Sequence, residues 1–137
     1  MVTPSGRLSS WWFGNGRLRP RTTLHRTVSP LASLPSPEQT LGLIRRQEAL
    51  RDRGRPPFSV VVVDVGSPAE SAHKALRLLM VFRRRARVGD EAGWLTADRI
   101  ALILPLTGRD GAQRFAEEVC NQAAGHQGPP RFEVYTA

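Results

Sequence analysis

The stretch Arg87-Val88-Gly89-Asp90-Glu91-Ala92-Gly93-Trp94-Leu95-Thr96-Ala97-Asp98-Arg99-Ile100-Ala101-Leu102-Ile103-Leu104-Pro105 holds two strand-like runs. Glu91 to Leu95 comes first, then Arg99 to Leu104, with only Thr96, Ala97 and Asp98 between them. So short a break between two such runs predicts a β-hairpin with a tight turn. Pro105 has no N–H to give to a ladder, so it closes the second strand.

Working outward, Phe58 to Asp64 is short, apolar and rich in valine, as a central strand covered on both faces should be. Gly66, Ser67 and Pro68 break it and open a helix, in which Ala72, Ala75, Leu76, Leu79, Phe82 and Ala86 recur at three- and four-residue intervals. Arg83, Arg84 and Arg85 crowd its last turn, where cations suit the negative end of the helix dipole. Farther upstream, Ser36-Pro37-Glu38-Gln39 has the form of a capping box with proline at the first helical position. That helix is expected to run to about Arg53 and to end at Gly54. Downstream of the hairpin, Thr107-Gly108-Arg109-Asp110 reads as a second capping box, ahead of the stripe Ala112, Phe115, Ala116, Val119 and Cys120. Gly125 to Pro130 breaks the chain, and Arg131 to Tyr135 alternates as a half-buried last strand. From Phe58 onward the order is β-α-β-β-α-β. The fold class is therefore α+β, a ferredoxin-like antiparallel sheet with helices on one face and an extra N-terminal helix in front.

The 137 residues fit one domain, expected over 36–137, preceded by a disordered basic tail over 1–35 that holds five arginines and no acid. Trp11, Trp12 and Phe13 form an isolated aromatic patch in that tail, suited to docking. The tail lacks the apolar core of a secretory signal, although its Arg-rich and acid-free text overlaps with organelle transit peptides. No apolar run approaches the roughly 20 residues that span a bilayer. Cys120 is the single cysteine, which excludes an intramolecular disulfide and suits a cytoplasmic setting. On the apolar stripe it reads as a small buried hydrophobe rather than a nucleophile.

The net charge is +8, and Lys74 is the only lysine among 20 cations. A basic tail can neutralise phosphates, and ferredoxin-like sheets do bind RNA through exposed aromatics. Only Phe58 and Trp94 supply rings on the first three strands, so nucleic acid is not the expected partner.

Two carboxylates stand out. Asp64 ends the first strand and Asp98 sits in the hairpin turn; strand order in this fold brings the two to one edge of the sheet. A pair of carboxylates with open positions is how Mg²⁺ and substrate phosphates are commonly held. The competing reading is that Asp64 merely terminates a strand and Asp98 merely makes a turn.

From Ser36 to Tyr135 the order of elements and the local text resemble the GGDEF domain of diguanylate cyclases. The residues that carry the likeness are Arg53-Gly54-Arg55-Pro56 before the valine strand, Asp64, Gly89-Asp90, Leu95, Ile100 to Pro105, and Thr107. Thr96-Ala97-Asp98-Arg99-Ile100 stands where the five-residue signature would be. Asp98 keeps the metal-binding acid of that signature, whereas Thr96 and Ala97 replace the glycines that let a triphosphate approach the backbone. Arg99 reverses the charge of the signature's glutamate. Val65, Gly66, Ser67 and Pro68 follow Asp64 where the family has a second Asp, an aromatic and a guanine-reading Asn. The resemblance thus implies a degenerate active site with no catalytic residue assigned. Mg²⁺ would be held only if the Asp64/Asp98 pair functions.

Arg87-Val88-Gly89-Asp90 matches the Arg-x-x-Asp of the family's inhibitory site, which implies nucleotide binding by Arg87 and Asp90, with cyclic di-GMP as ligand. The text Asp90 to Leu95 followed by Asp98 to Pro105 also resembles a narrower group of degenerate GGDEF-like domains. These are found ahead of bacterial sugar transferases for exopolysaccharide synthesis in planctomycete-type bacteria. The implied function is a non-catalytic signalling domain with a protein partner or a second copy of itself. The alternatives are a residual diguanylate cyclase and a nucleic-acid binder.

Overall fold

The computed structural model describes residues 30–66 and 68–137. The chain divides into two units, Met1–Ser33 and Leu34–Ala137. Of the first, the 3₁₀ turn Pro30–Ser33 is described. The tail expected over 1–35 and its aromatic patch thus lie mostly or wholly outside the described residues.

The second unit runs α1 (Pro37–Asp52), β1 (Ser59–Asp64), α2 (Pro68–Arg85), β2 (Glu91–Thr96), β3 (Arg99–Leu104), α3 (Arg109–Gln122) and β4 (Phe132–Thr136). Its four strands form one antiparallel sheet in the order β2-β3-β1-β4. This is the split β-α-β-β-α-β arrangement that the pattern predicts.

Helix α1 starts as its sequence dictates. Ser36 Oγ accepts from the Gln39 N–H and Gln39 Oε1 accepts from the Ser36 N–H, so both arms of the capping box are made. Beyond the C-cap at Arg53, Gly54 takes φ of +86°, the left-handed value that glycine reaches without a Cβ penalty.

The register assigns side chains to faces. Val60 pairs with Ile103 and Val62 with Ala101, so these share one face; Val61, Val63, Leu102 and Ile100 share the other. Ile44 of α1 packs on Phe58, Val60, Val62 and Ala101. Gly93 lies on that same face, pressed against Thr40 and Pro35, and the Trp94 N–H donates to the Pro35 carbonyl at 3.0 Å. The extra N-terminal helix α1 thus lies on the face opposite α2 and α3. A helix placed before β1 is free to cross to the other side, because no β-α-β crossover constrains it.

On the second face α2 and α3 pack together over the sheet, with Phe82 and Phe115 edge to face at 6.0 Å between centroids. The α2 stripe differs from the expected one. Ala75, Leu78, Leu79 and Phe82 are buried, whereas Ala72 is exposed and Leu76 only partly covered. The buried spacing is i, i+3, i+4, i+7, a tighter match to 3.6 residues per turn. The α3 stripe is as expected, with Cys120 1% exposed.

Two terminal details also depart from expectation. The N-cap of α3 is Gly108, with no side-chain hydrogen bond, so Thr107 does not form a capping box. Its hydroxyl is engaged elsewhere, donating to the Pro105 carbonyl at 3.0 Å and accepting from Arg87 Nη2. In the hairpin, Thr96 pairs with Arg99, leaving a two-residue turn of Ala97 and Asp98. Neither has positive φ, so the turn is not of the primed types whose twist suits a hairpin. A register shift between Trp94 and Thr96 absorbs the mismatch.

Candidate functional site

The antiparallel pairing of β1 and β3 brings Asp64 and Asp98 to one end of the sheet. Val65 donates its N–H to the Asp98 carbonyl at 2.9 Å, and Asp64 pairs directly with Arg99. Each carboxylate already serves its own turn. Asp64 Oδ1 accepts from the Gly66 N–H at 3.0 Å, and Asp98 Oδ1 accepts from Thr96 Oγ1 at 2.7 Å. Cross-strand partners share a face, so the Arg99 side chain projects on the same side as Asp64. Among the described residues no three His, Cys, Asp or Glu side chains gather as a metal-binding set.

Arg87 and Asp90 lie at the other end of the strands, where β2 begins and β3 ends. The structure brings them together as a clasp. Asp90 Oδ2 accepts from the Arg87 N–H at 2.8 Å and stands 3.8 Å from Arg87 Nε. The Asp90 N–H donates to the Arg87 carbonyl at 3.0 Å, and Gly89 takes φ of +98° to close this turn. The two ends differ in access: the Asp90 side chain is 3% exposed and that of Arg87 62%. Burial pushes the Asp90 carboxyl above its ordinary 3.8, with the Arg87 N–H and charge pulling the other way.

Arg87 Nη2 reaches across to the Pro105 carbonyl at 3.3 Å and to the Thr107 hydroxyl. Arg87 and Thr107, together with Asp90, Leu106, Gly108 and Phe115, line a recess of about 310 Å³. Leu106 crosses its rim with φ of 57°, a left-handed value rare for leucine. Ser59 Oγ, fully buried, donates to the Thr107 carbonyl at 2.8 Å and meets Thr136 Oγ1 at 2.8 Å, which ties the recess to the starts of β1 and the end of β4. The sequence signal for that tie is a lone hydroxyl at the head of an apolar run.

A larger cavity of about 490 Å³ lies at the Asp64 end, between α2 and the loop from α3 to β4. Lys74, Arg77 and Arg131 line it, and sequence reasoning had assigned none of them a role. The available signal was the three-residue spacing of Lys74 and Arg77, which places two cations on one helical face.

No family model matches this sequence, and no curated protein matches it. Solved structures do share the fold. A diguanylate cyclase protein from Thermotoga maritima superposes with a TM-score of 0.58 at 19% identity, over 78% of this chain and 82% of that one. Diguanylate cyclase SiaD from Pseudomonas aeruginosa, solved in complex with its activator SiaC, gives 0.58 at 16% identity, over 82% of this chain and 51% of that one. The GGDEF domain of TpbB (YfiN) from Pseudomonas aeruginosa gives 0.53 at 22% identity, covering 78% and 72%. The fold of residues 34–137 is therefore that of GGDEF diguanylate cyclase domains.

Proposed function

We propose that this chain is a non-catalytic signalling domain built on the diguanylate cyclase fold, which binds cyclic di-GMP in the recess at Arg87 and does not synthesise it. The observation that carries the reading is the register of β1 on β3, which sets Arg99 directly opposite Asp64. Phosphoryl transfer needs concentrated positive charge on the phosphates from a metal held by carboxylates. Here one carboxylate of the pair has an arginine as its cross-strand partner, and the hairpin turn carries Cβ atoms at Thr96 and Ala97 where a phosphate would have to approach the backbone.

At Arg87 the exposed guanidinium edge is suited to guanine acceptors or a phosphate, and its other edge is held in place by Pro105 and Thr107. Asp90 supports this as the clasp that fixes Arg87. A cytoplasmic setting and regulation of exopolysaccharide synthesis belong to the same reading, by resemblance. A protein partner belongs to it as well, since SiaD is held by a protein activator. Among the described residues no helix is long and apolar enough to cross a membrane.

The catalytic half of the proposal is tested by incubating the full chain with GTP and Mg²⁺ and following nucleotides by chromatography. The expected outcome is no cyclic di-GMP above a protein-free control. Magnesium-dependent product that disappears in Asp64→Asn would establish the residual cyclase instead.

A further inference from the structure

We propose that the cavity between α2 and the α3–β4 loop binds a small phosphomonoester, independently of the Arg87 recess. At about 490 Å³ it has the volume of a small-ligand site. Its charge is one-sided. Among the described lining residues, Lys74, Arg77 and Arg131 stand against the carboxylate of Asp64, with His73 and His126 alongside. Neither of the two ion pairs among the described residues uses any of these three cations. Counted over the described lining residues the balance is two positive charges, which complements a phosphomonoester dianion.

Two of the cations are positioned by neutral partners. Lys74 Nζ donates to Gln127 Oε1 at 3.2 Å, and Arg77 Nη2 donates to the Ala124 carbonyl at 2.8 Å. Both acceptors are neutral, so each bond positions a charge and leaves it available to an anion. Further donors remain on both groups, three being present on an ammonium and five on a guanidinium.

The opposite wall is stiff. The Gly128 N–H closes a turn onto the Gly125 carbonyl at 3.1 Å, Gly128 takes φ of +90°, and Pro129 and Pro130 fix the chain that follows. A wall ordered before binding lowers the entropic cost of ligand capture. Pro129, Pro130 and Ala123 give an apolar surface beside the cations. The arrangement matches a ligand with a charged phosphate and an organic body, such as a sugar phosphate or a mononucleotide. Inorganic phosphate would leave that apolar surface unused.

Lys74 is the only lysine in the chain, so one amine reports the site. Acetylation of Lys74 in the full chain is followed by peptide mass spectrometry, with ribose 5-phosphate, guanosine 5′-monophosphate, inorganic phosphate or guanosine present. At a concentration about ten times Kd, either phosphomonoester slows labelling roughly tenfold, and guanosine leaves it unchanged. Arg131→Gln, on an exposed loop end where folding is not at stake, weakens the protection roughly tenfold or more, as loss of a charge-assisted hydrogen bond should. Arg87→Ala retains full protection, which separates this site from the recess. Absence of protection by any phosphomonoester, equal protection by inorganic phosphate, or protection unaffected by Arg131→Gln overturns the proposal.

Discussion

Asp90 is conspicuous in the sequence, and in the fold its carboxylate is buried against Arg87. Its carboxylate caps the turn that holds Arg87, and burial outweighs the nearby charge in raising its pKa above 3.8. In the window between 3.8 and the raised value, the native protein holds a proton that the unfolded chain has released. The stability contributed by Asp90 is therefore complete below that window and is lost as pH rises through it. Asp90→Asn keeps an oxygen for the Arg87 N–H and removes the titration. Urea unfolding across the acidic range should show the variant gaining on the wild type as pH rises, and a constant difference would refute the assignment.

For Cys120 the stripe position alone foretold burial. Desolvation pushes its thiol up to about 12, and it is 1% exposed. A disulfide-exchange reagent at pH 8 should react with it only as fast as the protein opens, and at once in denaturant. Immediate reaction in the folded state would contradict this placement.

Among the elements, the docking of α1 is the feature that periodicity could not reveal. The capping box at Ser36 and the end at Gly54 were legible because both rest on local chemistry. The choice of face depends on Gly93, which in sequence is only a glycine in a strand. In the fold, a Cβ at Gly93 would lie 2.2 Å from Thr40 Oγ1 and 3.1 Å from Pro35 Cβ, and Thr40 is fully buried. Gly93→Ala should cost about 1–3 kcal/mol by overpacking, read as a lowered urea midpoint. Thr40→Ala should restore part of the loss, and an unchanged midpoint in Gly93→Ala would show that α1 does not pack here.

The second misread element is the start of α3. Thr107 has the composition of a cap, but its hydroxyl is claimed by the nearby Pro105 carbonyl and by Arg87, 20 residues back in the chain. Local text cannot register such competition. The same holds for Lys74 and Arg77, whose common purpose depends on a loop some 50 residues downstream in the chain folding back over α2.

Across the whole domain, strand order separates functions that the sequence presents side by side. Arg87-Val88-Gly89-Asp90 and Thr96-Ala97-Asp98-Arg99 are close in the chain, yet they lie at opposite ends of β2, roughly 17–20 Å apart for a six-residue strand. The strand order could be inferred from the β-α-β-β-α-β sequence because handedness and short connections leave few alternatives. The consequence is a domain in which the Asp64/Asp98 pair and the Arg87 clasp are spatially separate. Neither the cavity at Lys74 nor the clasp at Arg87 depends on a glycine-lined hairpin.

The claim that this fold binds rather than makes its nucleotide is tested most directly by calorimetric titration of the full chain with cyclic di-GMP, beside Arg87→Ala. The expected result is a dissociation constant of order micromolar, about −8 kcal/mol, for the wild type and no measurable heat for the variant. No heat in the wild type, or equal binding in both proteins, would contradict it.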